Sequence, residues 1–151
     1  MALVGIFYQK IDEKSRLLIP KQFLQELGEP LFLVVNPKEY LNLMPQSKWD
    51  DLLERYSSLP RKQKRNNRFI FTYSTKVDPD EKGRILIPRD LRFLAKLDGA
   101  CSVAIVGAND NVEIWNADVF NSFQEACLRF PEKVGQSHAE YDYHTAEKSR
   151  D

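Results

Sequence analysis

An internal repeat constrains the fold of this chain more than any other feature. Residues 12–20 read Asp-Glu-Lys-Ser-Arg-Leu-Leu-Ile-Pro, and residues 80–88 read Asp-Glu-Lys-Gly-Arg-Ile-Leu-Ile-Pro. At this constant offset of 68, seven of the nine positions are identical. Because the repeated unit is about half of the 151 residues long, it indicates a duplicated half-domain rather than a solenoid of short repeats.

The duplication continues on both sides of the motif. A strand is predicted before each motif, and a short helix that ends near a glycine is predicted after it. Two apolar strands then follow in each half. The predicted elements are strands over 3–11, 31–35 and 41–44 with a helix over 21–27 in the first half, and strands over 69–77, 103–106 and 112–115 with a helix over 89–97 in the second.

Each half closes with an amphipathic helix. In the first half, apolar side chains recur at the spacing i, i+3, i+4 and i+7 from Trp49, and Ser47 is the predicted N-cap. In the second half, Phe120, Phe123 and Cys127 occupy equivalent places. The chain therefore contains two copies of one mixed helix-and-strand unit.

Charge is balanced overall but unevenly distributed. The 22 Lys and Arg residues equal the 22 Asp and Glu residues, which argues against indiscriminate binding to nucleic acid. Residues 60–92 nevertheless hold ten basic and four acidic side chains, a local charge of +6. A neutral protein with this polarity can present a cationic face to phosphate. The polar segment over 57–68 is either a linker or a helix that begins near Pro60, and it is either a solvated connection or a phosphate contact.

The duplicated motif is predicted to be a strand, a turn and a second strand. An aspartate at the start of the turn can accept backbone N–H groups and pair with the arginine four residues later, which fixes the direction of the guanidinium. Gly83 suits a positive φ, which Ser15 would adopt only at some cost. An exposed Asp–Arg pair alone contributes roughly 0–1 kcal/mol. Because the same surface charges recur in register in both halves, we interpret the turns as functional.

These residues resemble the MraZ family of bacterial regulators, whose relatives are the swapped-hairpin domains of the AbrB and SpoVT type. The resemblance rests on the duplicated Asp-x-x-x-Arg-apolar-apolar-apolar-Pro pattern with a following helix, on Arg65, Phe69 and Phe71, and on the Val-Glu-Ile-Trp strand. It implies an α+β fold, a double-split β-barrel of two repeats related by an approximate twofold, with flanking helices. It also implies a first repeat over 1–58, a basic connecting segment over 59–67, a second repeat over 68–130, and a polar, partly disordered tail over 131–151.

The resemblance further implies sequence-specific binding to double-stranded DNA. Family members assemble into rings and bind direct repeats upstream of their own division and cell-wall operon. Asp12 and Asp80 would orient the arginines. The expected DNA contacts are Lys14, Arg16, Lys82 and Arg84, and the possible phosphate contacts are Lys21, Arg89, Arg61, Lys62, Lys64 and Arg65. A cytoplasmic, nucleoid-associated homo-oligomer without cofactor, metal, small-molecule substrate or membrane contact is expected.

Two departures from the family pattern affect the turns. Ser15 stands where glycine is usual, and the extra residues before the second motif make Asp78 a competitor of Asp80 for Arg84.

Two other classes of function compete with this interpretation. The first is an antitoxin-like module in which a swapped-hairpin domain binds a protein partner; such modules usually contain one repeat. The second is an enzyme, against which the sequence offers no Gly-rich phosphate loop, no metal-ligand spacing and no histidine within the repeats.

Overall fold

A computed structural model describes residues 2–99 and 101–129. The described residues form eight strands and five helices. The strands are β1 (Ile6–Lys10), β2 (Arg16–Leu18), β3 (Leu31–Asn36), β4 (Tyr40–Pro45), β5 (Thr75–Val77), β6 (Arg84–Leu86), β7 (Ser102–Gly107) and β8 (Val112–Asn116). The helices are α1 (Lys21–Leu27), α2 (Gln46–Ser57), α3 (Arg61–Tyr73), α4 (Arg89–Leu94) and α5 (Ala117–Arg129). The predicted tail over 131–151 lies outside the described residues, and no described helix is long and apolar enough to cross a membrane.

The two halves of the chain are interleaved in one sheet. Six strands pair in the order β1-β7-β8-β4-β3-β5, and β2 pairs with β6 in a separate two-stranded ribbon. Strands β1, β3 and β4 of the first half correspond to β5, β7 and β8 of the second. Exchanging each strand for its counterpart gives the same order read from the other edge of the sheet, so the two halves are related by an approximate twofold. The first strand of each half pairs with a strand of the other half: β1 pairs with β7, and β5 pairs with β3. All of these pairings are antiparallel, and the predicted α+β class is confirmed.

The two faces of the sheet pack against different layers. On the front face, Leu33 and Leu43 join the main core with Leu17 and Ile85 of the ribbon, and all four side chains are fully buried. On the back face, α2 and α3 cover β3 and β4, whereas α5 covers β7 and β8. The ribbon and the three longer helices therefore lie on opposite sides of the sheet.

The basic connecting segment is helical, and its helix extends further than the sequence predicts. Pro60 stands at the N-cap of α3, and the helix continues through Phe69, Ile70 and Phe71 to Tyr73. The prediction of a strand over 69–77 is therefore wrong except at Thr75–Val77. Ile70 is buried against the back of the sheet, with the two phenylalanines half-buried beside it. This tertiary packing overrides the β-propensity of an aromatic run.

Smaller corrections concern the ends of elements. Strand β1 begins at Ile6, and Leu3 makes only an isolated bridge. Helix α2 begins at Gln46 after Pro45, so Ser47 lies inside the first turn and is not the N-cap. Helix α4 ends at Leu94 rather than at residue 97, because Lys96 adopts a positive φ of 58° before Gly99 is reached.

Candidate nucleic-acid interface

The first duplicated turn is organised by the carboxylate of Asp12. Its Oδ1 accepts hydrogen bonds from the backbone N–H groups of Lys14 and Arg16, both at 2.9 Å. Its Oδ2 accepts a hydrogen bond from Nε of Arg16 at 2.8 Å. The backbone closes the turn, since the N–H of Asp12 donates to the carbonyl of Arg16 at 2.9 Å. One carboxylate thus fixes both the turn and the direction of the guanidinium.

The second turn repeats this arrangement around Asp80. Oδ1 of Asp80 accepts from the N–H groups of Lys82 at 3.0 Å and Arg84 at 2.9 Å, and Oδ2 accepts from Nε of Arg84 at 2.7 Å. Asp80, and not Asp78, is therefore the partner of Arg84. The extra residues before the second motif leave the geometry of the turn unchanged.

Both turns need a left-handed residue at the same place. Ser15 has a φ of 64° and Gly83 has a φ of 86°. The cost predicted for Ser15 is thus real, because a side chain with a Cβ is disfavoured in this region. Serine can replace glycine here because residue 15 contributes only its backbone to the turn: the N–H of Ser15 donates to the carbonyl of Asp12 at 3.0 Å, as the N–H of Gly83 does to the carbonyl of Asp80 at 2.9 Å.

Each turn is attached to the strand of the opposite repeat. The carbonyl of Ser15 accepts from the N–H of Ile87 at 2.9 Å, and the carbonyl of Gly83 accepts from the N–H of Ile19 at 3.0 Å. These bonds extend the β2–β6 ladder at both ends. The two turns therefore flank one ribbon, and a movement of either turn would be transmitted to the other repeat.

Each turn pairs a charged carboxylate with a guanidinium. Backbone hydrogen bonds from Arg16 and Arg84 lower the pKa of Asp12 and Asp80, and the guanidinium groups lower it further. Both carboxylates are therefore charged at neutral pH. Each arginine uses Nε for its aspartate, and Nη1 of Arg16 also lies 4.0 Å from Oδ2 of Asp80. The terminal nitrogens of the guanidinium groups are the atoms that remain for a further acceptor.

The outer face of the ribbon has a regular pattern that the sequence reasoning missed. Arg16 lies opposite Leu86, and Leu18 lies opposite Arg84. Both leucines are exposed, whereas the central pair Leu17 and Ile85 is fully buried. The sequence contains a signal for this pattern, because residues i and i+2 of a strand lie on the same face. An arginine that faces outward at the start of each strand therefore places Leu18 or Leu86 on the outer face as well.

The other predicted cations divide between two surfaces. Lys14 and Lys82 are exposed in the turns, and Lys21 and Arg89 are exposed at the first residues of α1 and α4, directly after the ribbon. The basic residues of α3 lie with that helix on the back of the sheet; Lys64 is half-buried and the others are exposed, namely Arg61, Lys62 and Arg65. The structure therefore does not bring the α3 cations together with the turns.

Comparisons with known proteins agree with this architecture. The model of one family, described as "MraZ protein, putative antitoxin-like", matches residues 2–71 and again residues 70–138. A relative from Carboxydothermus hydrogenoformans is 29% identical over 91% of this chain and 97% of its own. Relatives from Desulforamulus reducens and Pediococcus pentosaceus are 35% and 36% identical, over 83% and 75% of this chain and 91% and 80% of their own. All three carry the name "Transcriptional regulator MraZ".

Proposed function

Because the chain belongs to the MraZ family, we propose that it is a transcriptional regulator that binds double-stranded DNA at direct repeats upstream of its own division and cell-wall operon. The observation that carries this proposal is the pair of equivalent turns at the two ends of the β2–β6 ribbon. Each turn holds an arginine whose guanidinium is already oriented by an aspartate. Two oriented cationic groups on one ribbon suit a ligand with a repeated anionic backbone and hydrogen-bonding base edges.

We propose that the β2–β6 ribbon enters the major groove of B-DNA, which admits a two-stranded β-ribbon. There, Arg16 and Arg84 would each donate two hydrogen bonds to O6 and N7 of a guanine. Orientation by Asp12 and Asp80 reduces the side-chain entropy that is lost on binding. Lys14 and Lys82, next to the arginines at the tips of the turns, would contact phosphate.

The cations that follow the ribbon extend this surface. Lys21 and Arg89 would contact phosphates on either side of the groove, because each begins a helix at one end of the ribbon. The basic residues of α3 lie on the back of the sheet, so they would reach phosphates only where the DNA continues past the ribbon. Their contribution is therefore electrostatic and sensitive to salt.

Assembly would supply the affinity that one chain lacks. A single chain offers one pair of turns, and linking several chains raises the effective concentration of each further contact. We propose a ring of identical chains whose adjacent members read adjacent boxes, about one helical turn of DNA apart (~10 bp). Displacing one box by half a turn is expected to weaken binding; affinity that is indifferent to spacing would exclude this arrangement.

The six-stranded sheet and the β2–β6 ribbon also suggest how the two repeats combine into one architecture. The six-stranded sheet and the β2–β6 ribbon enclose a common core that contains Leu17, Leu33, Leu43 and Ile85. We propose that together they form a double-split β-barrel, whose approximate twofold relates the two turns.

Fluorescence anisotropy tests the proposed function most directly. The protein is titrated onto the duplex upstream of its own gene, beside Arg16→Ala and Arg84→Ala. Each variant is expected to lose about 1–3 kcal/mol of binding free energy, which is roughly 5- to 150-fold in affinity. Arg84→Lys keeps the charge but not the paired hydrogen bonds, so it should recover non-specific binding and not sequence preference.

Arg129→Ala is the matched control for charge. Arg129 lies in α5 on the back of the sheet and pairs only with Glu125 among its described neighbours. Its loss should change affinity only through the small change in net charge. Equal losses in all three alanine variants would show that the turns act as diffuse charge. No sequence-selective binding by the unmodified protein would refute the proposal, and a stoichiometric copurified protein would then favour the antitoxin-like alternative.

A further inference from the structure

Two exposed leucines occupy equivalent places on the outer face of the ribbon. Leu18 is 39% exposed and Leu86 is 56% exposed, although the residue before each of them, Leu17 or Ile85, is fully buried. A single exposed leucine on a protein surface needs no explanation. Here the same apolar group is exposed in both repeats, at the motif's own offset of 68, although neither leucine fills the core.

The leucines alternate with the oriented arginines across the ribbon. Leu86 lies opposite Arg16, and Leu18 lies opposite Arg84. Side chains that face each other in an antiparallel pair have Cβ atoms about 4.5–5.5 Å apart. Successive base pairs in B-DNA are about 3.4 Å apart along the helix axis. A leucine and the arginine opposite it can therefore face the edges of neighbouring base pairs.

We propose that Leu18 and Leu86 select thymine, by contact with its C5-methyl group, at the base pair beside the one read by the opposing arginine. This proposal rests on the DNA-binding function proposed above and assigns the leucines a part in specificity. The thymine methyl is the apolar group that the major groove presents, and apolar side chains are its usual contact. A leucine here distinguishes thymine from cytosine because cytosine carries a hydrogen at C5, so the apolar contact with the methyl group is lost.

The two leucines are not expected to contribute equally. Leu18 borders a cavity of about 680 Å³ that is also lined by Pro79, Lys82 and Gly83 of the second turn. Its exposed fraction, 39%, is smaller than the 56% of Leu86. Leu86 is therefore the stronger determinant of thymine.

Replacing thymine with deoxyuridine isolates the proposed contact. Deoxyuridine keeps every base-pairing hydrogen bond of thymine and lacks only the methyl group. The unmodified protein first selects a duplex from a random pool, and the selected duplex is then synthesised with deoxyuridine at each thymine in turn. Removing a contacted methyl is expected to weaken binding about fourfold, the factor that corresponds to burying one methyl group (~0.8 kcal/mol).

The variants link the effect to the leucines. Leu86→Ala should bind the thymine duplex about fourfold or more weakly, and should lose no further affinity when the contacted thymine is replaced. Leu18→Ala should behave in the same way with a smaller change. Phe93→Ala is the matched control, because Phe93 is an apolar side chain 73% exposed on α4; it should keep the full response to deoxyuridine.

The outcomes separate the two proposals. Failure to enrich any sequence from the pool would refute the DNA-reading function itself. Enrichment without any response to deoxyuridine would refute the role of the leucines and leave the arginines in place. The same conclusion would follow if both leucine variants kept the full response, or if they changed only the oligomeric state in light scattering.

Discussion

Exchanging the left-handed residues of the two turns should shift stability in opposite directions. Ser15→Gly removes a Cβ from a residue with a φ of 64°, which relieves about 1–2 kcal/mol. Glycine also increases the entropy of the unfolded chain, at a cost of about 0.4–1 kcal/mol. The net expectation is a gain of about 0–1.6 kcal/mol in the free energy of unfolding.

Gly83→Ser is the reciprocal change, and its structural setting is less tolerant. A Cβ on Gly83 would stand 3.0 Å from Cδ1 of Leu24 and 3.5 Å from the carbonyl oxygen of Ile19. Leu24 packs against the main core, so its displacement adds to the backbone strain. The cost of strain and displacement, offset in part by the lower entropy of the unfolded chain, is a loss of about 1–4.5 kcal/mol in the free energy of unfolding.

Urea denaturation followed by tryptophan fluorescence measures both variants under identical conditions. The double exchange should give nearly the sum of the two changes if the turns are energetically independent. DNA affinity of Ser15→Gly should remain within about twofold of the unmodified protein, because Asp12 and Arg16 keep their hydrogen bonds. A gain in stability for Gly83→Ser, or a loss above 1 kcal/mol for Ser15→Gly, would refute the assignment of strain to these positions.

Three further predictions concern other parts of the molecule. NMR titration should place the carboxyl midpoints of Asp12 and Asp80 below the ordinary pKa of 3.8. Because folding lowers these pKa values, the stability that the two carboxylates contribute to the fold is complete above the unfolded-state pKa and is lost as pH falls through the folded-state pKa. Midpoints at or above 3.8 would contradict the hydrogen bonding. Gly107→Ala should lower the free energy of unfolding by about 1–3 kcal/mol, since its Cβ would lie 2.6 Å from the backbone nitrogen of Val4. An unchanged urea midpoint would show that the segment before β1 can move away. Asn42→Ala should lower the free energy of unfolding by about 1–3 kcal/mol in the same assay, because the buried Asn42 side chain accepts a hydrogen bond from Asn36 and donates one to Asn111. An unchanged free energy of unfolding would mean that water replaces the Asn42 amide.

The elements predicted best are those with local signals. Helix α1 begins after Pro20 and ends at Leu27, because the next residue, Gly28, adopts a positive φ of 69°. Both ends were visible as a proline and a glycine at the expected places. The aromatic run over 69–71 had no such signal, because three apolar residues in succession fit a strand or the buried face of a helix equally well.

Strand pairing required the structure. Nothing local in β1 or β5 shows that each joins the hairpin of the other half, because partner choice depends on contacts distant in sequence. The two equivalent turns were nevertheless predictable, because the hydrogen bonds that form each turn, such as those between Asp12 and Arg16, join residues only four apart in the sequence. Which of Asp78 and Asp80 pairs with Arg84 could be decided only from the structure, because both lie shortly before Arg84 in a segment with no regular sequence pattern.

The interleaving of the halves has a consequence for synthesis on the ribosome. Ile6 of β1 pairs with Val106, so its partner is made 100 residues later. Strand β3, by contrast, can pair with β4 as soon as β4 has left the exit tunnel, because the two strands are adjacent in the sequence. During most of translation the first half therefore carries an unpaired strand with Val4, Ile6 and Tyr8 exposed, and even in the finished fold these side chains stay partly exposed. The nascent chain must avoid edge-to-edge association over this interval, so slowing elongation before Ser102 should increase aggregation of the new protein more than slowing it after Asn116.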